Sequence, residues 1–239
     1  MSDEINVATA GTETNSMSPW SMLVSIFYEP SRVFRAIKEK SHWIIPFVII
    51  LLSASVTAYI VTPITMAEQM EKMRTNPDMT EEQKQQAEKG MEMFASPVAG
   101  VAMALIFTTF IIFCYTGVTM LFANVIFGGK ARFAQVFSMI IVSSMIWVIS
   151  SIVKAPLILA KNSVDIRTSP AMILPGDATE SALYHFLNTY MDIFFLWQTI
   201  LIIIGVKIIY EFATQKAAMA VLIPTVVMAL FTTTLSAIF

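Results

Sequence analysis

Long stretches almost free of charge divide the chain and give its clearest pattern. An α-helix rises about 1.5 Å per residue, so about 20 apolar residues cross a hydrocarbon layer ~30 Å thick. Each stretch is at least that long; the third continues past Lys154, and the fourth contains Asp192. The pattern predicts five transmembrane helices, at about residues 43–64, 97–127, 133–160, 181–210 and 217–239.

The composition favours the same fold class. Of 239 residues, 56% are hydrophobic and 13% are charged, whereas a soluble domain has about a quarter charged residues. A soluble helical core is the alternative, but its helices would show a polar face every three or four residues. We therefore predict an all-α membrane protein, a five-transmembrane-helix bundle in contact with the lipid bilayer. The net charge of −2, without a basic, aromatic-interleaved face, argues against a nucleic-acid partner.

Two different segments precede the first predicted span. Residues 1–16 are polar and acidic, have no basic start followed by an apolar run, and are interpreted as a disordered tail rather than a signal peptide. Residues 17–42 place apolar and aromatic side chains on one side of two short helices and basic side chains on the other. This pattern predicts an interfacial amphipathic helix. A plain juxtamembrane linker, whose basic residues only set topology, is the alternative.

The segment between the first two spans, residues 65–96, is polar and acidic. Asn76, Pro77 and Asp78 are typical of a turn. Thr80 and Gln83 then have the spacing of a capping box, which predicts a helix beginning at Glu81. We expect a polar helical hairpin that stands off the membrane.

Lys and Arg residues decide orientation in membrane proteins. The two sides are nearly balanced, with eight on the N-terminal side and seven on the other. However, four of the eight precede the first span closely, and the tight loop at residues 128–132 is purely basic. We therefore expect a cytoplasmic N-terminus.

Lys154 and Asp192 are charges at predicted membrane depth. Lys154 lies about 9 Å from the outer end of the third span, and Asp192 lies at a similar depth in the antiparallel fourth span. Because such charges usually have a partner, the two residues are a candidate intramembrane polar pair. A proton or ion relay is one interpretation. A structural salt bridge, or Lys154 simply snorkelling outward, is favoured because a relay needs further polar groups across the bilayer.

Motifs of catalysis and cofactor binding are missing from the sequence. There is no His-x-x-x-His, Gly-x-Ser-x-Gly or phosphate-binding Gly-rich loop. Cys114 is the single cysteine, and the methionines have neither His nor Cys beside them. We therefore predict no catalytic residue, no cofactor and no metal site. Small residues four apart, such as Ala54, Ala58 and Thr62, predict helix packing seams rather than a pore lining.

Three segments resemble the Yip1-domain proteins of bacteria. Residues 27–37 contain a Pro-x-x-x-Phe-x-x-Ile stretch before Trp43-Ile44-Ile45-Pro46. Residues 128–138 resemble that family's link between spans two and three, and residues 205–217 resemble the turn into its last span. The resemblance covers roughly residues 20–239 and implies five spans. The Asp-Leu-Tyr-Gly-Pro motif of eukaryotic members is missing, so their trafficking role with Rab-type GTPases is not carried over.

Two hypotheses of function follow. The first is a non-enzymatic Yip1-like protein of the bacterial inner membrane, which organises membrane, handles lipid or scaffolds a membrane-protein partner or a second copy. The second is a subunit of a small-solute or ion transporter or channel that uses Lys154 and Asp192.

Overall fold

The computed structural model describes residues 17–92, 94–175 and 181–236, and every regular element within them is helical. The predicted disordered tail, residues 1–16, lies outside the described residues. Ten α-helices follow one another: α1 Pro19–Ser25, α2 Pro30–Glu39, α3 Ile44–Thr75, α4 Glu81–Glu92, α5 Pro97–Met120, α6 Phe133–Ser143, α7 Ile146–Lys161, α8 Ala182–Tyr190, α9 Ile193–Ile209 and α10 Thr214–Ser236. A π-helical turn, Leu121–Ile126, extends α5, and a 3-10 turn, Pro170–Ile173, lies in the loop after α7.

Four continuous helical segments are long and apolar enough to cross a membrane: Ile44–Thr75, Pro97–Ile126, Phe133–Lys161 and Thr214–Thr234. The fourth predicted span corresponds to α8 and α9, which are apolar enough together but are bent by 53° at a short break. The predicted fold class is confirmed: the described residues form an all-helical membrane protein with four continuous candidate spans, or five if the bent pair is one span. Residues 181–210 were expected to form one continuous helix, and the break is explained by Asp192, which caps α9.

The third span is the centre of the bundle. Every residue from Val136 to Ile146 is buried, as expected for a helix that is apolar on all sides. In contrast, α3 and α5 expose large apolar side chains such as Leu52, Val56, Ile106 and Phe110. A surface this apolar requires hydrocarbon around it.

Small residues allow close helix packing at two places. A side chain at Gly100 of α5 would overlap the Thr62 hydroxyl of α3, so these two helices touch at their backbones. A side chain at Gly205 of α9 would overlap Met139 of α6 and crowd the ring of Phe34. The ring of Phe34 therefore packs α2 against α9.

The two N-terminal helices differ in what they contact, although the sequence predicted one interfacial surface for residues 17–42. Val33, Phe34 and Ile37 of α2 are fully buried against the bundle, and do not face lipid. Trp20 and Val24 of α1 are 65% and 62% exposed and lie on one side of the helix, because they are four residues apart. Tyr28, in the turn after α1, is 66% exposed. This exposed surface of α1 and the following turn is the part suited to the membrane interface.

The hairpin between the first two spans differs from its expected form. Its first arm is the continuation of α3 to Thr75, and α4 is the second arm. Thr80 and Gln83 form the expected reciprocal bonds: the Thr80 amide donates to Gln83 Oε1 (2.9 Å), and the Gln83 amide donates to Thr80 Oγ1 (3.3 Å). An Arg74–Glu88 ion pair joins the two arms.

Candidate functional site

The break between α8 and α9 is built around Asp192. Its backbone is extended, and its Oδ1 accepts hydrogen bonds from the amides of Phe194 (2.9 Å) and Phe195 (3.4 Å). These amides belong to the first turn of α9, where helical partners are lacking. An aspartate in the middle of an apolar run therefore starts a helix within the run.

Lys154 of α7 lies against the second oxygen of the same carboxylate. Its Nζ donates to Asp192 Oδ2 over 2.9 Å and lies 5.5 Å from the centre of the Phe194 ring. Thr168 Oγ1 donates to Oδ2 as well. The Asp192 side chain is 5% exposed and that of Lys154 is 24% exposed. The structure thus brings the two predicted charges together, in contact with a loop residue that the sequence did not point to.

The carboxylate of Asp192 has four donors around it, and a carboxylate has about four acceptor sites. A proton relay needs an acceptor site that is free to take a proton and pass it on. The arrangement instead fixes three elements to one another: α7, the start of α9 and the loop after α7.

That loop, residues 162–175, is folded onto the bundle. Asp165 accepts hydrogen bonds from Arg167 (2.7 Å) and from the Tyr184 hydroxyl (2.7 Å), and the hydrogen bond from Arg167 holds the pKa of Asp165 below its ordinary value. Arg167 also donates to the Leu174 carbonyl (3.0 Å). The Val164 amide donates to Glu68 Oε1 on α3 (3.1 Å). The contacts from Val164 to Glu68 and from Tyr184 to Asp165 join residues far apart in the chain, so the sequence alone does not predict them.

A cavity of about 380 Å³ lies in the middle of the bundle, between α3, α5, α9 and the α6–α7 span. Most of its wall is apolar, and three of its lining side chains form a hydrogen-bonded chain. Trp147 Nε1 donates to Gln198 Oε1 (2.9 Å), and Gln198 Nε2 donates to Ser144 Oγ (2.9 Å). A glutamine in an apolar span favours an interhelical hydrogen bond, and Gln198 forms two such bonds.

Two further cavities lie beside the first and share lining residues with it. One, of about 830 Å³, lies between α3, α4 and α5, and shares Ala54 and Ser151 with the central cavity. The other, of about 460 Å³, shares Ser53 and Ser151 with the central cavity. Ser151 of α7 borders all three cavities, which we name together the Ser151 crevice.

Within the described parts of the chain, no three His, Cys, Asp or Glu side chains lie close enough to hold a metal ion. The site therefore consists of an apolar crevice beside a saturated ion pair.

These features define a multi-pass helical membrane protein with four continuous candidate spans and one bent helix pair. The Yip1 domain family matches residues 24–235, nearly the whole chain, and the chain belongs to that family. The resemblance noted in the sequence is thereby confirmed. No curated protein and no solved structure gives a significant match.

Proposed function

We propose that this Yip1-family protein handles lipid without catalysis, by holding a lipid acyl chain in the Ser151 crevice. The observation that carries the proposal is the meeting of three cavities, of about 380, 830 and 460 Å³, at one residue. Sites for small ligands usually have volumes of about 300–1,000 Å³ and mostly apolar walls. Each of the three cavities falls in this range.

The surroundings of the crevice favour an acyl chain as its occupant. Leu52 and Val56 border the 460 Å³ cavity and are each 60% exposed on the outer face of α3. That face is apolar, so the crevice opens toward the hydrocarbon phase, where acyl chains are the abundant solute. At the α4 end, Gln69 borders the 830 Å³ cavity and supplies an amide N–H suited to an ester oxygen.

The ion pair supports this hypothesis over transport. Asp192 is surrounded by donors, and Lys154 and Thr168 are held by it. A carrier of protons or ions would need these groups to change partners. Scaffolding of a membrane-protein partner or a second copy is compatible with the fold, but the crevice gives a more specific hypothesis.

We further propose that the protein lies in a bacterial inner membrane with its N-terminus in the cytoplasm. The support is the positive-inside rule, because the ends of α2 and the loop before α6 are basic. Single cysteines in a Cys114→Ala background test it. Lys130→Cys should react only with a reagent that reaches the cytoplasm, and Lys84→Cys only with one kept outside. The reverse pattern would overturn this orientation.

Photocrosslinking tests the crevice. The purified protein is reconstituted with a phospholipid that carries a diazirine in one acyl chain, illuminated, and mapped by peptide mass spectrometry. Crosslinks should concentrate on peptides that contain Ala54 and Ser151. Ser151→Phe places a ring at the junction of the cavities and should reduce them severalfold.

Val153→Phe is the matched control, because Val153 is 43% exposed two residues away on the same helix. It should leave the crosslinks unchanged. If crosslinks fall evenly on outward residues such as Ile106 and Phe110, and Ser151→Phe has no effect, the lipid-handling hypothesis is wrong.

A further inference from the structure

Cations from three separate segments converge at the end of the bundle where α2 ends. Gln135 Nε2 of α6 donates to the Lys38 carbonyl over 2.7 Å, and the Arg132 amide donates to Gln135 Oε1 over 3.0 Å. These two bonds place the last turn of α2 beside the loop between α5 and α6. Lys38 and Arg132 are therefore neighbours, although 94 positions separate them in the sequence.

The corner between α9 and α10 joins the same cluster. Glu211 forms an ion pair with Lys38, and the rings of Tyr210 and Phe212 lie against Gly129. Lys216 Nζ lies 4.3 Å from the centre of the Phe212 ring. Lys38, Lys130, Arg132 and Lys216 thus surround one small region, which we name the basic corner.

Positive charge exceeds negative charge at this end. Among the described residues, Glu211 is the acid that pairs with the basic corner, and Lys130 and Arg132 are exposed without an ion-pair partner. Counted over the described residues alone, this end carries eight cations against three acids: Arg32, Arg35, Lys38, Lys40, Lys130, Arg132, Lys207 and Lys216 against Glu29, Glu39 and Glu211. Such a surplus attracts an anion at the membrane surface.

The position of the corner indicates which anion it meets. The exposed Trp20 belongs to α1, and the exposed Tyr28 lies in the turn that follows it. The helix α1 packs on α2 and α3, and aromatic side chains of this kind mark the level of lipid headgroups. Lys130 and Arg132 lie in the short loop between two spans. The cations are therefore at headgroup depth, beside apolar helix faces that acyl chains can follow.

We propose that the basic corner binds the phosphate of an anionic phospholipid headgroup. Arg132 supplies a guanidinium fork, which matches a phosphate bidentately, and Lys130 and Lys216 supply point charges. This proposal is independent of acyl-chain binding in the Ser151 crevice, since the corner and the crevice share none of their residues.

Native mass spectrometry of the full chain in detergent tests the proposal. Dioleoylphosphatidylglycerol and dioleoylphosphatidylcholine are titrated separately. We expect the wild-type protein to retain phosphatidylglycerol more strongly. Lys130→Gln with Arg132→Gln should weaken that binding roughly 30-fold, because each cation near the surface contributes about a fivefold factor.

The matched control is Lys89→Gln with Lys161→Gln, which removes the same charge from two exposed positions at the other end. It should leave the preference intact. Equal binding of the two lipids by the wild type, or equal losses in both double variants, would overturn the proposal. Should the corner double variant fail to fold, Lys216→Gln alone should weaken phosphatidylglycerol binding about fivefold.

A competition arm separates a lipid headgroup from a soluble anion. Inorganic phosphate at matched ionic strength should leave phosphatidylglycerol bound. Displacement by inorganic phosphate, but not by chloride, would assign the corner to a soluble phosphate and overturn the lipid assignment. Loss of crosslinking in the Ser151 crevice would leave this result untouched.

Discussion

Gly100 faces Thr62 so closely that a methyl group on the glycine would overlap the threonine hydroxyl. This contact joins α5 to α3 beside the wall of the 830 Å³ cavity, which both residues line. The width of that branch of the crevice therefore depends on a glycine.

Gly100→Ala is expected to separate α3 from α5 and destabilise the protein by about 2 kcal/mol, because overpacking costs about 1–3 kcal/mol. Gly117 lies on the same helix with open space around it. Gly117→Ala should leave stability unchanged or raise it slightly, since alanine favours a helix. Thermal unfolding in detergent, followed by tryptophan fluorescence, compares the two. Equal melting temperatures would contradict the proposed contact.

Lys154→Met should destabilise the protein by roughly 3 kcal/mol, because it leaves the buried Asp192 carboxylate without its cation. Adding Asp192→Asn should restore most of the loss. Asparagine removes the charge while keeping an oxygen for the amides of Phe194 and Phe195. The same unfolding assay measures both variants. If the double variant is no more stable than Lys154→Met, the charge of Asp192 is not what makes the single change costly.

Asp165 makes stability depend on pH. The hydrogen bond from Arg167 lowers the pKa of Asp165 in the folded protein, so the folded state favours the carboxylate. The contribution to stability is fully present above the unfolded pKa of about 3.9 and is lost as the pH falls through the lower folded pKa. Asp165→Asn should remove this part of the acid dependence. Melting temperatures measured from about pH 7 to about pH 3 check it; parallel curves for wild type and variant would refute it.

Glu211 has a positive φ of 56° immediately after the end of α9. The Phe212 amide donates to the Lys207 carbonyl over 3.1 Å, a bond that closes a helix end of the kind that favours glycine. Glu211→Gly should therefore be more stable than Glu211→Ala by about 1 kcal/mol, although both lose the ion pair with Lys38. Identical unfolding free energies for the two variants would show that the backbone here is not held in this conformation.

The spans could be predicted from the sequence because they depend on a local property. A run of apolar residues that is long enough, as a helix, to cross the hydrocarbon core is expected to span the membrane. The capping box of Thr80 and Gln83 was likewise readable, since both residues lie within one turn of a helix.

The features that could not be predicted from the sequence depend on contacts between residues that lie far apart in the chain. Asp192 in an apolar run fits either a buried helix position or a helix start, and only the donors from Lys154 and Thr168 distinguish the two. From the sequence alone, the apolar face of α2 could contact either lipid or protein. It contacts protein, because Gly205 leaves room for the ring of Phe34. The Ser151 crevice lies where α3, α5, α7 and α9 leave space between them, and the sequence of a single helix does not indicate such a space.

The break at Asp192 also has a consequence for the bilayer. The helix α9 has 17 residues and so a length of about 25 Å, a few ångströms less than a hydrocarbon core of ~30 Å. Because α8 turns away by 53°, lipids beside α9 meet a hydrophobic mismatch and are expected to thin or tilt around it. The protein should then melt at a higher temperature in bilayers of 14-carbon chains than in bilayers of 20-carbon chains, and it should collect where a membrane is locally thin.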